Sequence, residues 1–133
     1  FEEVLKSYDY KEKEWESELK ARYKGAWEGI IDLEKKSGKN SYKKWEKRVD
    51  STKNKIDEIK KLCKNLPSSK EIESLIKALE GPTDPSDLGI DKEAVFHAIV
   101  YAKEIRDRYT ILQLLWDLGL LEKYANKLVY NKD

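Results

Sequence analysis

The residues best suited to chemistry in this chain sit in one short corner, Arg106-Asp107-Arg108-Tyr109-Thr110. Two guanidinium groups two positions apart can present forked N–H pairs to a phosphate or to an interdomain cleft, where planar bidentate contacts suit arginine better than lysine. A second reading of the same corner is structural. Thr110 caps a helix, Arg106 and Arg108 meet carbonyls at the preceding helix C-terminus, Asp107 pairs with a neighbouring arginine, and Tyr109 fills a gap. Both readings stand on the sequence alone, and the candidate contact residues are Arg106, Arg108, Tyr109 and Thr110.

Other reactive types are sparse. The one histidine, His97, and the one cysteine, Cys63, are 34 positions apart. No motif joins them into a metal site, which needs several His, Cys, Asp or Glu ligands at workable spacing. His97 follows Phe96 beside an apolar stripe and reads as a structural histidine, partly exposed or satisfied by a partner; Cys63 falls on an apolar seam and reads as a packing residue. The six glycines stand singly, so no glycine-rich turn cradles a pyrophosphate, and there is no nucleophile-elbow sequence. No catalytic, cofactor-binding or metal-ligating residue is assigned.

The elements that must position the corner are helical. Apolar residues at Trp15, Leu19, Tyr23, Ala26, Trp27, Ile30 and Leu33 predict an amphipathic helix over 11–36, stopped at Ser37-Gly38-Lys39-Asn40 with Gly38 beyond its C-terminus. Tyr42, Trp45, Val49, Thr52, Ile56, Ile59, Cys63 and Leu66 alternate steps of three and four, a heptad seam. Asn40 or Ser41 can cap that helix and Pro67 ends it. The short link between the two predicts a long antiparallel hairpin over 10–66. Ser68 and Glu71 form a capping-box pattern before a short helix bearing Ile72, Leu75, Ile76 and Leu79. A loop follows from Gly81 to Gly89. Asp91 then caps a helix with the stripe Val95, Ala98, Ile99, Ala102 and Ile105. Thr110 caps the next, whose Ile111, Leu112, Leu114, Leu115 and Trp116 are apolar nearly all round and predict a buried helix. Gly119 ends it, and a last helix carries Leu120, Leu121, Tyr124, Ala125 and Leu128. No segment alternates with period two. The expected architecture is all-α, a single helical domain over 1–133, with the hairpin packed on a short-helix bundle over 68–130. Residues 1–9 show no clear period.

Composition narrows the function classes. Charged residues make up 40% of the chain and aromatics 11%. That pairing fits helices which bury one stripe and solvate the rest, and it is not a disorder composition. The net charge is +1; residues 1–66 carry 18 basic and 14 acidic side chains and the remainder 9 and 12. Neither imbalance marks a nucleic-acid binder. No apolar run approaches a membrane span of roughly 20 residues, no signal peptide is evident, and a lone cysteine suits a reducing cytoplasm. The chain contains no Met and begins at Phe1, which points to a piece of a longer protein.

Ordered motifs add to this reading. Trp27 and Ile31 precede the Ser37-Gly38-Lys39 break. Leu66-Pro67-Ser68, Gly81-Pro82-Thr83, Asp87-Leu88-Gly89-Ile90, Tyr101-Ala102-Lys103, Arg106 to Thr110 and Asp117-Leu118-Gly119 follow in turn. In order and spacing, over about 10–128, this series resembles the C-terminal region of bacterial sn-glycerol-1-phosphate dehydrogenases, relatives of iron-containing alcohol dehydrogenases and dehydroquinate synthases. The resemblance implies an oxidoreductase parent with an N-terminal nucleotide-binding α/β domain and a C-terminal helical domain. Such a parent reduces dihydroxyacetone phosphate with NADH or NADPH, using zinc or nickel as Lewis acid. It further implies that the metal-holding Asp and two His precede the matched region. The chain alone would then be inactive, its partners being the missing nucleotide-binding domain and a second subunit of a homodimer. The alternative is a free-standing helical interaction module that offers the Tyr42–Leu66 seam to a partner helix.

Overall fold

The computed structural model describes residues 3, 4 and 8–131; most of the aperiodic stretch 1–9 lies outside the described residues. The fold is all-α. Among the described residues there are seven α-helices and no strand: α1 Glu12–Arg22, α2 Trp27–Ser37, α3 Tyr42–Cys63, α4 Ser69–Ala78, α5 Lys92–Tyr101, α6 Ile111–Asp117 and α7 Leu121–Tyr130. Short 3-10 turns stand at Pro85–Leu88 and Ala102–Glu104.

The single helix expected over 11–36 is two helices. α1 ends at Arg22, and Tyr23, Lys24, Gly25 and Ala26 form the turn, with the Ala26 N–H donating to the Tyr23 carbonyl at 2.6 Å. Trp15 and Leu19 of α1 share one buried cluster with Ile30 and Ile31 of α2. In one straight helix Trp15 and Ile30 would stand about 22 Å apart, so burial of this stripe requires the chain to reverse, and Gly25 sits in the turn that does so. Tyr10, Tyr23, Trp27 and Tyr101 pack around the cluster.

Gly38 closes α2 in the left-handed conformation (φ 56°, ψ 32°), its N–H bonded to the Glu34 carbonyl. The heptad seam of α3 is buried over its first half only. Trp45, Val49 and Thr52 are buried, Ile56 and Ile59 are half-buried, and Tyr42, Cys63 and Leu66 are exposed. A local departure from helical geometry at Lys55 (φ −118°, ψ 15°) marks the change. Cys63, expected in packing, is therefore an exposed free thiol.

α4 carries the capping box read from the sequence: Ser68 Oγ accepts from the Glu71 N–H, and the Glu71 carboxylate accepts from the Ser68 N–H at 2.7 Å. Asp91 caps α5 by accepting from the Ala94 N–H at 2.7 Å. That helix stops at Tyr101, so Ile105 is not on its stripe and is exposed. α5 packs on α7, α7 on α6, and α6 on the first half of α3. The buried residues of α7 are Leu121 and Ala125.

The expectation that α6 is buried by its apolar residues is corrected. Its buried residues are Gln113 and Asp117, while Leu112, Leu114, Leu115 and Trp116 are half-buried and Ile111 is exposed. The polar face turns inward because α3 presents a guanidinium and an indole N–H to it.

Candidate functional site

The 105–110 corner is held from behind by a buried polar cluster that links it to the α2–α3 turn. Lys39, 7% exposed, extends from that turn; its ammonium donates to the carbonyls of Lys103 and Arg106 and lies 3.2 Å from Glu104 Oε2. The carbonyls Lys39 meets lie beyond the end of α5, that of Lys103 in the 3-10 turn and that of Arg106 after it. Neither Arg106 nor Arg108 bonds to a carbonyl at the end of α5 among the described residues; both are exposed. Asp107 forms no ion pair with a neighbouring arginine, and it too is exposed.

Glu104 is 1% exposed and receives three groups: the Lys39 ammonium, the Lys103 ammonium, and the Asn40 side-chain N–H at 3.1 Å. Burial pushes its pKa up, but the adjoining Lys103 and Lys39 charges outweigh burial and hold the carboxyl below its ordinary value. The opposite holds for Glu34. Burial dominates there and raises the pKa, although the Asn40 backbone N–H donates to Oε1 at 2.9 Å. Its Oε2 has no partner among the described residues. Burial also lowers the pKa of Lys103, whose ammonium lies 4.4 Å from the Trp116 ring centre.

A second pair, between the half-buried Arg48 and the buried Asp117, fixes α3 to α6. Arg48 Nε and Nη2 donate to Asp117 Oδ2 and Oδ1 at 2.7 and 2.8 Å, and Nη1 donates to the Lys39 carbonyl at 2.6 Å. Gln113 Nε2 donates to Asp117 Oδ1 at 3.1 Å, and Trp45 Nε1 donates to the Asp117 carbonyl at 3.1 Å. Thr110 is the N-cap of α6, accepting weakly from the Gln113 N–H at 3.4 Å. Burial, followed by the Asp117 charge, pushes the Tyr109 phenol up to about 12.

Of the sequence candidates, Arg108 and Tyr109 line one cleft of about 400 Å³ with Lys44, Lys47, Arg48 and Gln113. Arg106 and Thr110 are not among its lining residues. Lys39, Asn40, Arg48, Glu104, Gln113 and Asp117 were missed as site residues. The available signal was the pair Gln113 and Asp117, one turn apart in an otherwise apolar helix.

The other conspicuous surface is apolar. Every residue from 61 to 80 is exposed. Leu62, Leu66, Ile72, Leu75, Ile76 and Leu79 are 37–84% exposed, and Leu88 and Ile90 beyond them are 63% and 43%. α4 keeps its amphipathic spacing and buries none of it. His97 stands elsewhere, 3.6 Å from Glu93, its Nδ1 without a partner among the described residues. Among the described residues no three His, Cys, Asp or Glu side chains converge on a metal position, and no helix is long and apolar enough to cross a membrane.

Parts of this chain are similar to glycerol-1-phosphate dehydrogenases [NAD(P)+]. The one from Bacillus licheniformis is 33% identical over 69 residues, 52% of this chain and 17% of its own length. Those from Halorubrum lacusprofundi and Methanocorpusculum labreanum are 48% and 51% identical over 42 and 43 residues, each 32% of this chain and 12% of the relative. The matches thus span less than a fifth of these relatives. No protein-family model and no solved structure matches the chain. These matches support the likeness read from the ordered motifs over a third to a half of the chain: that part of it is similar to glycerol-1-phosphate dehydrogenases.

Proposed function

We propose that this chain is a helical portion of a glycerol-1-phosphate dehydrogenase-like oxidoreductase, inactive by itself. The parent reduces dihydroxyacetone phosphate to sn-glycerol 1-phosphate with NADH or NADPH in the cytoplasm. The observation that carries this reading is the agreement of three relatives, from three organisms, on one enzyme name.

A zinc or nickel ion would polarise the substrate carbonyl in such a parent. The residues of this chain do not fit that ion: His97 is its one histidine, and no ligand group forms around it among the described residues. No step through the metal or the nucleotide is therefore assigned to residues here. What the chain contributes is a rigid corner, tied by Lys39, Glu104, Arg48 and Asp117, and an apolar arm from Ile59 to Ile90. In the proposed parent that arm packs against the nucleotide-binding domain or the second subunit of a homodimer. Eight large apolar side chains on one stretch exceed the scattered exposure normal for a monomer.

The test is a longer parent protein containing this sequence, assayed with added zinc or nickel for NAD(P)H oxidation dependent on dihydroxyacetone phosphate. Activity in the parent and none in the 133-residue chain is the expected result. A parent without that activity, under conditions where it is folded and metal-loaded, overturns the reading.

A second reading is favoured by the same arm. The distal half of the α3 seam, with Cys63 and Leu66 exposed, is open to a partner helix, as in a free-standing interaction module. Its distinguishing result is a stable one-to-one complex formed through α3 and α4 by a protein of about this length.

A further inference from the structure

Two buried polar groups, one on α1 and one on α2, line the same cleft and lack a partner. Trp15 and Glu34 are 9% and 8% exposed. Neither the Trp15 Nε1–H nor Glu34 Oε2 has a hydrogen-bond partner among the described residues. The other buried indole shows what such a group ordinarily finds: Trp45 Nε1 donates to the Asp117 carbonyl. Buried polar groups are nearly always bonded, and one left unbonded carries its full desolvation cost. Glu34 Oε1 accepts from the Asn40 N–H at 2.9 Å, which leaves Oε2 over. The buried ammonium groups of Lys39 and Lys103, whose charges reach Glu34, are both paired with Glu104.

The cleft that Trp15 and Glu34 line holds about 320 Å³, a volume suited to a small molecule. Its lining carries the carboxylates of Glu12, Glu16 and Glu34 against the ammonium of Lys35. Glu12, Glu16 and Lys35 form no ion pair among the described residues. The excess of negative charge selects a cation. The rings of Tyr10 and Trp15 meet edge to face with centres 5.7 Å apart, and with Ile31 they give the walls an apolar part. This lining shares no residue with the cleft at the corner or with the arm from Ile59 to Ile90.

We propose that this cleft binds a small amino alcohol, a primary ammonium ion that also carries a hydroxyl group. The ammonium donates to Glu34 Oε2, the hydroxyl oxygen accepts from the Trp15 Nε1–H, and the carbon chain between them lies on Tyr10 and Ile31. One ligand of this class satisfies both unpartnered groups together. A simple alkylamine leaves the indole N–H unmet, and a diol brings no charge to the carboxylate. The charge-assisted bond is the stronger of the two contacts. Its loss should weaken binding about tenfold, and loss of the neutral indole bond about fivefold. The proposal concerns α1 and α2 alone, so it goes beyond the oxidoreductase reading and does not depend on it.

A nuclear magnetic resonance titration of the 133-residue chain at pH 7 tests it, read at the indole N–H signals of the four tryptophans. The probes are ethanolamine, 3-aminopropanol and 4-aminobutanol, which bridge the two groups at increasing separation. The tightest of them is compared with the alkylamine that has methyl in place of hydroxyl and with the diol that has hydroxyl in place of ammonium. The amino alcohol should bind about fivefold more tightly than the alkylamine and about tenfold more tightly than the diol. It should move the Trp15 indole N–H signal downfield, and the alkylamine should not. Glu34→Gln should lower the affinity for the amino alcohol to that for the diol, with a thermal midpoint no lower than that of the unchanged chain. The comparison of probes on the unchanged chain tests the proposal even if that variant does not fold. Equal affinity for the amino alcohol and either control, no saturable shift of the Trp15 signal with any amino alcohol, or an affinity unaffected by Glu34→Gln in the folded variant overturns the proposal.

Discussion

Arg48 grips Asp117 with two arms of its guanidinium, at 2.7 and 2.8 Å, and uses the third on the Lys39 carbonyl. Asp117 is fully buried and also accepts from Gln113. Removing the guanidinium leaves a buried carboxylate with one neutral donor. Breaking a buried pair from one side costs about 3–5 kcal/mol, because the remaining charge stays uncompensated. Arg48→Leu should therefore lower unfolding stability by about 3 kcal/mol in urea titration. The double variant Arg48→Leu, Asp117→Leu should recover a large part of that loss, since it removes both charges together. A double variant no more stable than the single one would show that the bond to the Lys39 carbonyl, and not the pair, carries the effect.

Two buried carboxylates near this corner should respond to pH with opposite sign. The folded pKa of Glu104 lies below its unfolded value, near 4.3, because the Lys103 and Lys39 charges outweigh its burial. Its stabilisation is present above that unfolded value and is lost as pH falls through the folded pKa. For Glu34, burial raises the folded pKa. Its charged form is a penalty that is complete above the folded pKa and fades as pH falls to the unfolded one. Glu104→Gln should be less stable than the parent chain at pH 7, with a gap that closes in acid. Glu34→Gln should be more stable at pH 7, with an advantage that also closes in acid. Urea midpoints at pH 7, 5 and 3.5 check both; equal signs for the two variants would contradict the assigned causes.

Gly38 ends α2 at φ 56°, and a Cβ there would meet nothing closer than Ser41 Oγ at 3.9 Å. Space is therefore not the constraint, and the cost of a side chain is left-handed backbone strain. Gly38→Ala should lose roughly 1–2 kcal/mol. Gly38→Asn should lose less, because asparagine tolerates this region. Thermal unfolding of the three chains orders them directly.

What the sequence made legible were the features decided by neighbours in the chain. Ser68 with Glu71, Asp91, Thr110 and Gly38 mark helix ends through local hydrogen bonds or backbone conformation, and each stands where its residue type placed it. The break at Tyr23–Ala26 was not legible, because period 3.6 runs through it unchanged; only the contact of Leu19 with Ile30 and Ile31 demands the turn. The site behaved likewise. Arg108 and Tyr109 stood out by type. The groups that aim them, Lys39 and Glu104, 65 positions apart, have no local pattern connecting them. α6 misled because its apolar residues outnumber the two polar ones that turn inward, and the reason lies on α3.

The apolar residues of α1, α3 and α4, with Leu79 just past α4, are of two kinds that periodicity alone cannot separate. Leu19 is 0% and Trp45 1% exposed, whereas Leu75 and Leu79 are 65% and 84% exposed. Truncating a buried leucine removes its transfer energy and leaves a cavity, about 2–5 kcal/mol for Leu19→Ala. Placing a charge on an exposed helix face costs within about 0.5 kcal/mol. The double variant Leu75→Glu, Leu79→Glu should therefore leave the unfolding midpoint of this chain almost unchanged. In a longer parent the same pair should behave differently, because the proposed packing would bury both positions against a carboxylate-excluding surface. There it should weaken assembly, measured by sedimentation, together with any NAD(P)H-dependent activity. If the variant instead destabilises the 133-residue chain by several kcal/mol, the arm already packs against this chain's own core, and its role as a docking face fails along with the part of the functional reading that depends on it.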